Sequence, residues 1–170
     1  KVVEDPSVDI IVWGVRGYPN AIRNPKMFGW IDASLDGQVR SVSVKTPFDK
    51  PASDPIVLGT FTFRRVDDFR RALDRLIARD GRINGEFYID SLINDAIALG
   101  LKCRLFEVDS YLCWGTPNDL RTFEYWQSCF HKWAGHPYCL NLDGRIPHDQ
   151  VDALEQKYQA MIPAIPTAFL

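Results

Sequence analysis

The segment Cys113-Trp114-Gly115-Thr116-Pro117-Asn118-Asp119-Leu120 holds the residue types and spacing that come nearest to building a site. Gly115 admits backbone angles closed to larger residues, Thr116 can accept hydrogen bonds from the next amides, and Pro117 suits a first helical position. Asp119 then falls in the first turn, where the helix dipole favours a carboxylate. This is a strand end, a tight turn and a helix start, the place where α/β proteins put ligand crevices. A second set, Cys129, His131, His136 and Cys139, has the residue types of a tetrahedral zinc centre. Its spacing is not that of a zinc finger, and Cys129 and His131 would point to different faces of a helix. Buried cysteines beside solvated histidines are the better reading. No Ser-His-Asp or Cys-His arrangement has support beyond the presence of those residues.

Charge narrows the partners. The 170 residues carry a formal net charge of -2, so no global basic field draws the chain to nucleic acid or acidic lipid. Arg64, Arg65, Arg70, Arg71, Arg75 and Arg79 alternate with Asp67, Asp68, Asp74 and Asp80, and Arg71, Arg75 and Arg79 recur at helical spacing. A solvated helix face accounts for them. With 46% hydrophobic and 25% charged residues, the chain can bury an ordinary core. No apolar run is long enough to span a bilayer, and the start shows no signal-peptide pattern. Cys103, Cys113, Cys129 and Cys139 lack CxxC spacing and read as reduced core cysteines, which suits a cytoplasmic protein.

The elements that must hold these residues are legible as patterns. Val8 to Val15 is a continuous apolar, β-branched run, typical of a strand buried on both faces. Tyr18 to Lys26, with two prolines, reads as an irregular loop. Met27 to Ser34 and Gln38 to Val44 flank Asp36-Gly37, a hairpin turn signal. Lys45 to Pro55 is a proline-rich loop, and Ile56 to Phe63 resumes strand character with Gly59 marking a bulge or a close approach.

Val66 to Ala78 is an amphipathic helix with Phe69, Ala72, Leu73, Leu76 and Ile77 inward, Asp67 as its cap and Gly81 as its end. A second helix runs from about Phe87 to Leu99, with Ile89, Leu92, Ile93, Ala96 and Ile97 inward, and stops at Gly100. Leu101 to Val108 is the next strand. A third helix uses Leu120, Phe123, Trp126 and Phe130, and the aromatics Trp114, Phe123, Tyr125, Trp126, Phe130 and Trp133 read as core. Asp149 to Met161 is a last helix, followed by a proline-interrupted tail from Ile162 to Leu170. Strands alternating with helices, plus an antiparallel hairpin, predict an α/β layer fold with a mixed sheet.

The order of several segments resembles the sugar-phosphate nucleotidyltransferases, the nucleoside-diphosphate-sugar pyrophosphorylases. They are Phe28-Gly29-Trp30 to Val44-Lys45-Thr46-Pro47, Val57 to Phe63, Asn84-Gly85-Glu86-Phe87-Tyr88-Ile89-Asp90, and Leu105 to Val108 followed by Tyr111 to Leu120. The resemblance covers roughly Val8 to Phe130. It implies a Rossmann-like (GT-A-like) layered fold, here without its N-terminal nucleotide-binding part. Residues 1–130 would form the C-terminal, sugar-binding part of such a domain and residues 131–170 a helical extension.

The resemblance also implies an activity: joining a nucleoside triphosphate to a sugar 1-phosphate with release of pyrophosphate. Lys45 matches the lysine that binds the sugar phosphate, Gly59 the glycine against which the sugar lies, and Glu86 the carboxylate that accepts from sugar hydroxyls, with Asn84 near the family's asparagine. Partners so implied are a sugar phosphate and a nucleoside triphosphate, with no nucleic acid or membrane and with room for a homo-oligomer. Mg²⁺ is implied for the full-length enzyme.

The sequence departs from the pattern in three places. The glycine-rich start with its arginine and lysine is not in it, nor is the first metal-binding aspartate. Val44 stands where a carboxylate usually precedes the lysine. Cys113 occupies the position of the second metal-binding aspartate, and a thiol is a poor ligand for an ion that prefers hard oxygen donors. These departures open an alternative, a catalytically inactive sugar-phosphate or sugar-nucleotide-binding regulatory domain. A glycosyltransferase of related fold would need a metal-binding Asp-x-Asp, and Asp67-Asp68 and Asp5 to Asp9 do not sit in a strand-end context for it.

Overall fold

The computed structural model describes residues 4–133 and 135–161. The chain divides into two compact units, Lys1–Tyr111 and Leu112–Leu170. The predicted tail lies outside the described residues.

The first unit is a five-stranded mixed sheet. Its strands are β1 (Ile10–Val15), β2 (Gly29–Ala33), β3 (Val39–Val44), β4 (Ile56–Phe63) and β5 (Cys103–Glu107), in the order β3-β2-β4-β1-β5. Strands β1 and β5 run parallel, whereas β1 with β4, β4 with β2 and β2 with β3 are antiparallel. The β2–β3 hairpin turns where the Asp36-Gly37 signal predicts, with Gly37 at φ +86°. The Gly37 carbonyl then accepts from the Leu105 N–H, so the hairpin tip reaches β5. The segment 18–26, expected as a loop, folds into a short helix α1 (Pro19–Arg23) and a 3-10 turn (Pro25–Met27) that takes in the first residue of the expected next strand. Each of its prolines sits at a helix start, where the missing N–H is no loss, and the Trp30 indole N–H closes the second turn by donating to the Pro25 carbonyl.

Strand alternation sends side chains to both faces. On one face Ile10, Val12, Ile31, Val42, Val57 and Leu105 form the main core with the two long helices of the unit, α2 (Val66–Ala78) and α3 (Ile89–Ala98). On the other, Val15, Trp30, Ile56 and Ala21 pack with Tyr18, Phe48 and Tyr111. Gly14 is where the core comes closest to the sheet backbone. A Cβ there would lie 2.8 Å from Leu105 Cδ1, 2.9 Å from Ile31 Cδ1 and 2.9 Å from the Ile56 carbonyl oxygen.

The helix α2 has the predicted bounds but not the predicted cap. Its N-cap is Arg65, without a side-chain cap bond, and Asp67 instead lies 3.6 Å from Arg70. The basic face is also more than solvated. Asp95 of α3 is buried, and Arg79 grips it with Nε and Nη2 at 2.8 Å each, while Arg75 lies at 3.4 Å. Asn94 ties α3 to the sheet edge: its Oδ1 accepts from the Val42 N–H and its Nδ2 donates to the Val42 carbonyl.

The second unit holds α4 (Pro117–Lys132), two 3-10 turns (Leu140–Leu142 and His148–Gln150) and α5 (Val151–Met161). The predicted start of α4 is built as a full capping box. Thr116 Oγ1 accepts from the Asp119 N–H at 3.2 Å, and the Asp119 carboxylate accepts from the Thr116 N–H at 3.1 Å. Its aromatics do not form a core: Trp114, Tyr125, Trp126 and Trp133 are all exposed. Of the four cysteines, all free, Cys103 and Cys129 are buried, Cys113 is half-buried and Cys139 is exposed.

Candidate functional site

The loop after β3 begins at Lys45, whose φ of +58° is left-handed, a conformation that L residues other than Asn and Asp rarely adopt. Strain of this kind clusters at ligand-binding positions. From that backbone the Lys45 ammonium reaches 4.8 Å from the centroid of the Tyr88 ring. Tyr88 in turn donates its hydroxyl to the Glu86 carboxylate. Lys45, Tyr88 and Glu86 therefore form one chain of a cation, an aromatic ring and a carboxylate. The Tyr88 hydroxyl first, and the Glu86 charge behind it, hold the Lys45 ammonium above the ordinary lysine range.

Local sequence explains the arrangement. Asn84 and Gly85 take φ +51° and +81°, the two left-handed residues of a type I′ turn. Ile83 and Glu86 exchange backbone hydrogen bonds at 2.8 and 3.1 Å across that turn. Asn84 is thus a turn former whose conformation aims Glu86. Beyond it the chain runs extended to Tyr88, the N-cap of α3 at φ -114° and ψ 137°. Residues two apart in an extended chain share a side, which puts Glu86 and Tyr88 together. Tyr88, not among the residues singled out in the sequence, could have been found from that spacing.

Two residues on, Asp90 is pressed against the sheet. A Cβ on Gly29 would collide with its Oδ2, so glycine at 29 leaves room for the carboxylate. Burial raises the Asp90 carboxyl above the usual aspartate range, with its own backbone N–H opposing.

Gly59 lies on another strand, in a bulge. Opposite β1, the register jumps from Val12–Phe61 to Gly14–Val57, so β4 carries extra residues there. Gly59 takes φ +75°, and nothing lies within 4 Å of where its Cβ would be. Among the described residues no hydrogen bond or ring contact joins it to the Lys45 chain. At the carboxyl ends of the parallel strands β1 and β5, Arg16 Nε donates to Glu107 Oε2 at 3.1 Å and Nη1 to the Ser53 carbonyl. Arg16, Arg40 and Lys50 border a cavity of about 370 Å³ there, with Asp32, Asp49 and Asp54 facing them.

The residues expected near a metal do not fit Mg²⁺. The Cys113 thiol is a soft donor that already accepts from the Gly115 N–H at 3.3 Å, and Asp119 is engaged in the α4 cap. Among the described residues no cluster of three His, Cys, Asp or Glu could hold an ion. The Cys/His set has separate surroundings. His136 stacks on Phe130 at 4.7 Å and accepts from the Tyr138 N–H, whereas His131 Nε2 lies 3.7 Å from Glu155. No helix among the described residues is long and apolar enough to cross a membrane.

No protein-family model and no curated protein matches the chain. Solved structures do. A nucleoside-diphosphate-sugar pyrophosphorylase from Vibrio cholerae RC9 superposes with a TM-score of 0.55 at 22% identity, over 70% of this chain and 48% of that one. A CMP:2-keto-3-deoxy-manno-octonic acid synthetase complexed with CTP superposes with a TM-score of 0.46 at 16% identity, over 72% of this chain and 50% of that one. The chain spans about half the length of the structures it matches. With its five-stranded mixed sheet, the chain has the Rossmann-like α/β layered fold of the pyrophosphorylase, as expected from its sequence.

Proposed function

We propose that this chain binds a sugar 1-phosphate or a related phosphorylated metabolite, with Lys45 on the phosphate and Glu86 on the sugar hydroxyls. The observation that carries the reading is the Lys45–Tyr88–Glu86 chain, which sets one cation over an aromatic ring and one carboxylate on that ring's hydroxyl. A lysine supplies a mobile point charge for a phosphate, and a carboxylate accepts from two vicinal hydroxyls. The bulge at Gly59 leaves open backbone on which a sugar ring can lie.

In the full-length protein this binding serves nucleotidyl transfer. A sugar-phosphate oxygen attacks the α-phosphorus of a nucleoside triphosphate, the bond to the β-phosphate oxygen breaks, and pyrophosphate leaves. Such chemistry rests on positioning and charge neutralisation more than on a protein nucleophile. The part assigned to this chain is to hold the attacking phosphate.

Cys113, at the position of the expected metal-binding aspartate, favours a second reading, a regulatory domain that binds the same ligand without turnover. Pyrophosphate release by the full-length protein, measured with Mg²⁺ across a panel of triphosphates and sugar phosphates, separates the two. Release that depends on one sugar phosphate supports the transferase, and saturable binding without release supports the regulatory domain. If no sugar phosphate binds, both readings fail.

A further inference from the structure

On the free edge of β3 lies a cavity of about 480 Å³, bordered by Val44, Thr46, Arg79, Arg82, Ser91 and Asn94 among others. The ladder explains what faces it. Asn94 takes both the N–H and the carbonyl of Val42. Because alternate residues of a strand face the same edge, the N–H and carbonyl of Val44 point the same way two residues later, where no protein group meets them among the described residues.

Ser91, three residues before Asn94 on α3, is only 4% exposed. Its hydroxyl has no hydrogen-bond partner among the described residues, and it opens onto this cavity. The hydroxyl is not among the buried unpaired groups, so it meets solvent in the cavity and is free to donate to a ligand there.

Two guanidiniums complete the wall. Arg79 holds Asp95 through Nε and Nη2, which leaves Nη1 beside Gly81; a Cβ on Gly81 would come within 2.7 Å of it. Arg82 is placed by Asp80 at 3.3 Å and by the Phe87 ring at 4.9 Å. Among the described residues Asp80 is the one carboxylate on the wall, against two arginines. Asp95, behind the wall, and Asp80 balance the two guanidiniums, and the groups left over on the wall, Arg79 Nη1, the Ser91 hydroxyl and the Val44 N–H, can all donate.

We propose that this cavity binds a small oxyanion, the phosphate or carboxylate group of a metabolite, at a site separate from Lys45. The guanidiniums supply charge-assisted hydrogen bonds, and Ser91 and the Val44 N–H supply neutral ones. The site does not depend on the reading of Lys45 and Glu86, although Val44 and Thr46 flank Lys45 and the Ser91 N–H donates to the Tyr88 carbonyl at 3.1 Å.

The test is an NMR titration of the full-length protein labelled with ¹⁵N-arginine, using inorganic phosphate and, in a second arm, acetate, against chloride at constant ionic strength. The Arg79 and Arg82 Nε signals should shift saturably with at least one of the two oxyanions, and the better one identifies the preferred group. Ser91→Ala should weaken that binding about fivefold, the worth of one neutral hydrogen bond. Arg82→Gln, at an exposed position that leaves folding intact, should weaken it about tenfold. Lys45→Ala should leave it within about twofold, since additivity holds for independent sites. Shifts that only track chloride, or parental affinity in both cavity variants, overturn the proposal. Loss of the signal in Lys45→Ala also overturns it, by assigning the anion to the other cluster.

Discussion

The Tyr88 hydroxyl is the smallest part on which the proposed site depends. Its ring faces the Lys45 ammonium and its hydroxyl orients Glu86, so one side chain touches both residues proposed to hold the ligand. Tyr88→Phe keeps the ring and removes only the bond to Glu86. Sugar-phosphate affinity, followed by calorimetry, should fall about fivefold to tenfold, with the melting temperature little changed. Tyr88 and Glu86 raise the Lys45 pKa, which favours its charged ammonium form. Asp90 shows the opposite situation. Its pKa in the folded chain is raised by burial, so the stability it contributes is present below its unfolded value and is lost as pH rises through its folded value. Asp90→Asn should therefore melt higher than the parent at pH 7, and the difference should vanish in acid, where both side chains are neutral. Equal melting temperatures at pH 7 would contradict this. Lys45, Glu86 and Gly59 stand out in the sequence only as parts of an ordered pattern, and the sequence does not say which of them meet. Tyr88 is hard to read there because it lies where an extended segment becomes a helix, and periodicity is weakest at such junctions.

Between elements, a few side chains fix the packing that carries the site. Arg75 and Arg79 converge on buried Asp95 and join α2 to α3, and Asn94 joins α3 to the edge of β3. The helix ends are made the same way by different residues. Gly100, at φ +81°, ends α3 as the glycine signal predicts, whereas Asp80, at φ +48°, takes that position for α2 and Gly81 comes after it. The Gly81 N–H bonds back to the Leu76 carbonyl and the Asp80 N–H to that of Ile77. Gly81 has its own reason to lack a side chain, since a Cβ would come within 2.5 Å of Leu76 Cδ1.

Hydrophobic spacing makes α2 legible to the residue because it is long, strongly amphipathic and packed on one face. The same spacing misplaces Ile77 and Ile89, which are 51% and 50% exposed at the ends of their stripes. The prolines that suggest a loop at 18–26 are helix starters, a meaning set by the residues C-terminal to each proline. Gly14, within an apolar run, gives no signal of its role. Gly14→Ala should destabilise the first unit by about 1–3 kcal/mol, because the Ile56 carbonyl cannot move aside as a side-chain tip can. A denaturant midpoint equal to the parent's would show that the sheet yields there.

At the scale of the whole molecule, the first unit carries the sheet, both apolar clusters and every residue assigned to ligand binding. The mixed α/β class is legible because strand runs, the hairpin signal and the helix stripes agree with one another. The second unit is less so. Helical spacing of aromatics tells which face they share and not whether anything covers that face, so Trp114, Tyr125, Trp126 and Trp133 read as core and stand exposed. The turn Cys113 to Leu120 is the helix start that its residues predict, and Asp119 proves to be committed to that cap. Whether Lys45 and Glu86 of the first unit hold a sugar phosphate is measured most directly by calorimetry. A panel of sugar 1-phosphates, and separately of nucleoside triphosphates, is titrated into the full-length protein and its Lys45→Ala and Glu86→Ala variants. Each variant should lose about tenfold or more in sugar-phosphate affinity, as expected for a lost charge-assisted contact, with nucleotide affinity unchanged. Equal sugar-phosphate binding by variants and parent would contradict the assignment.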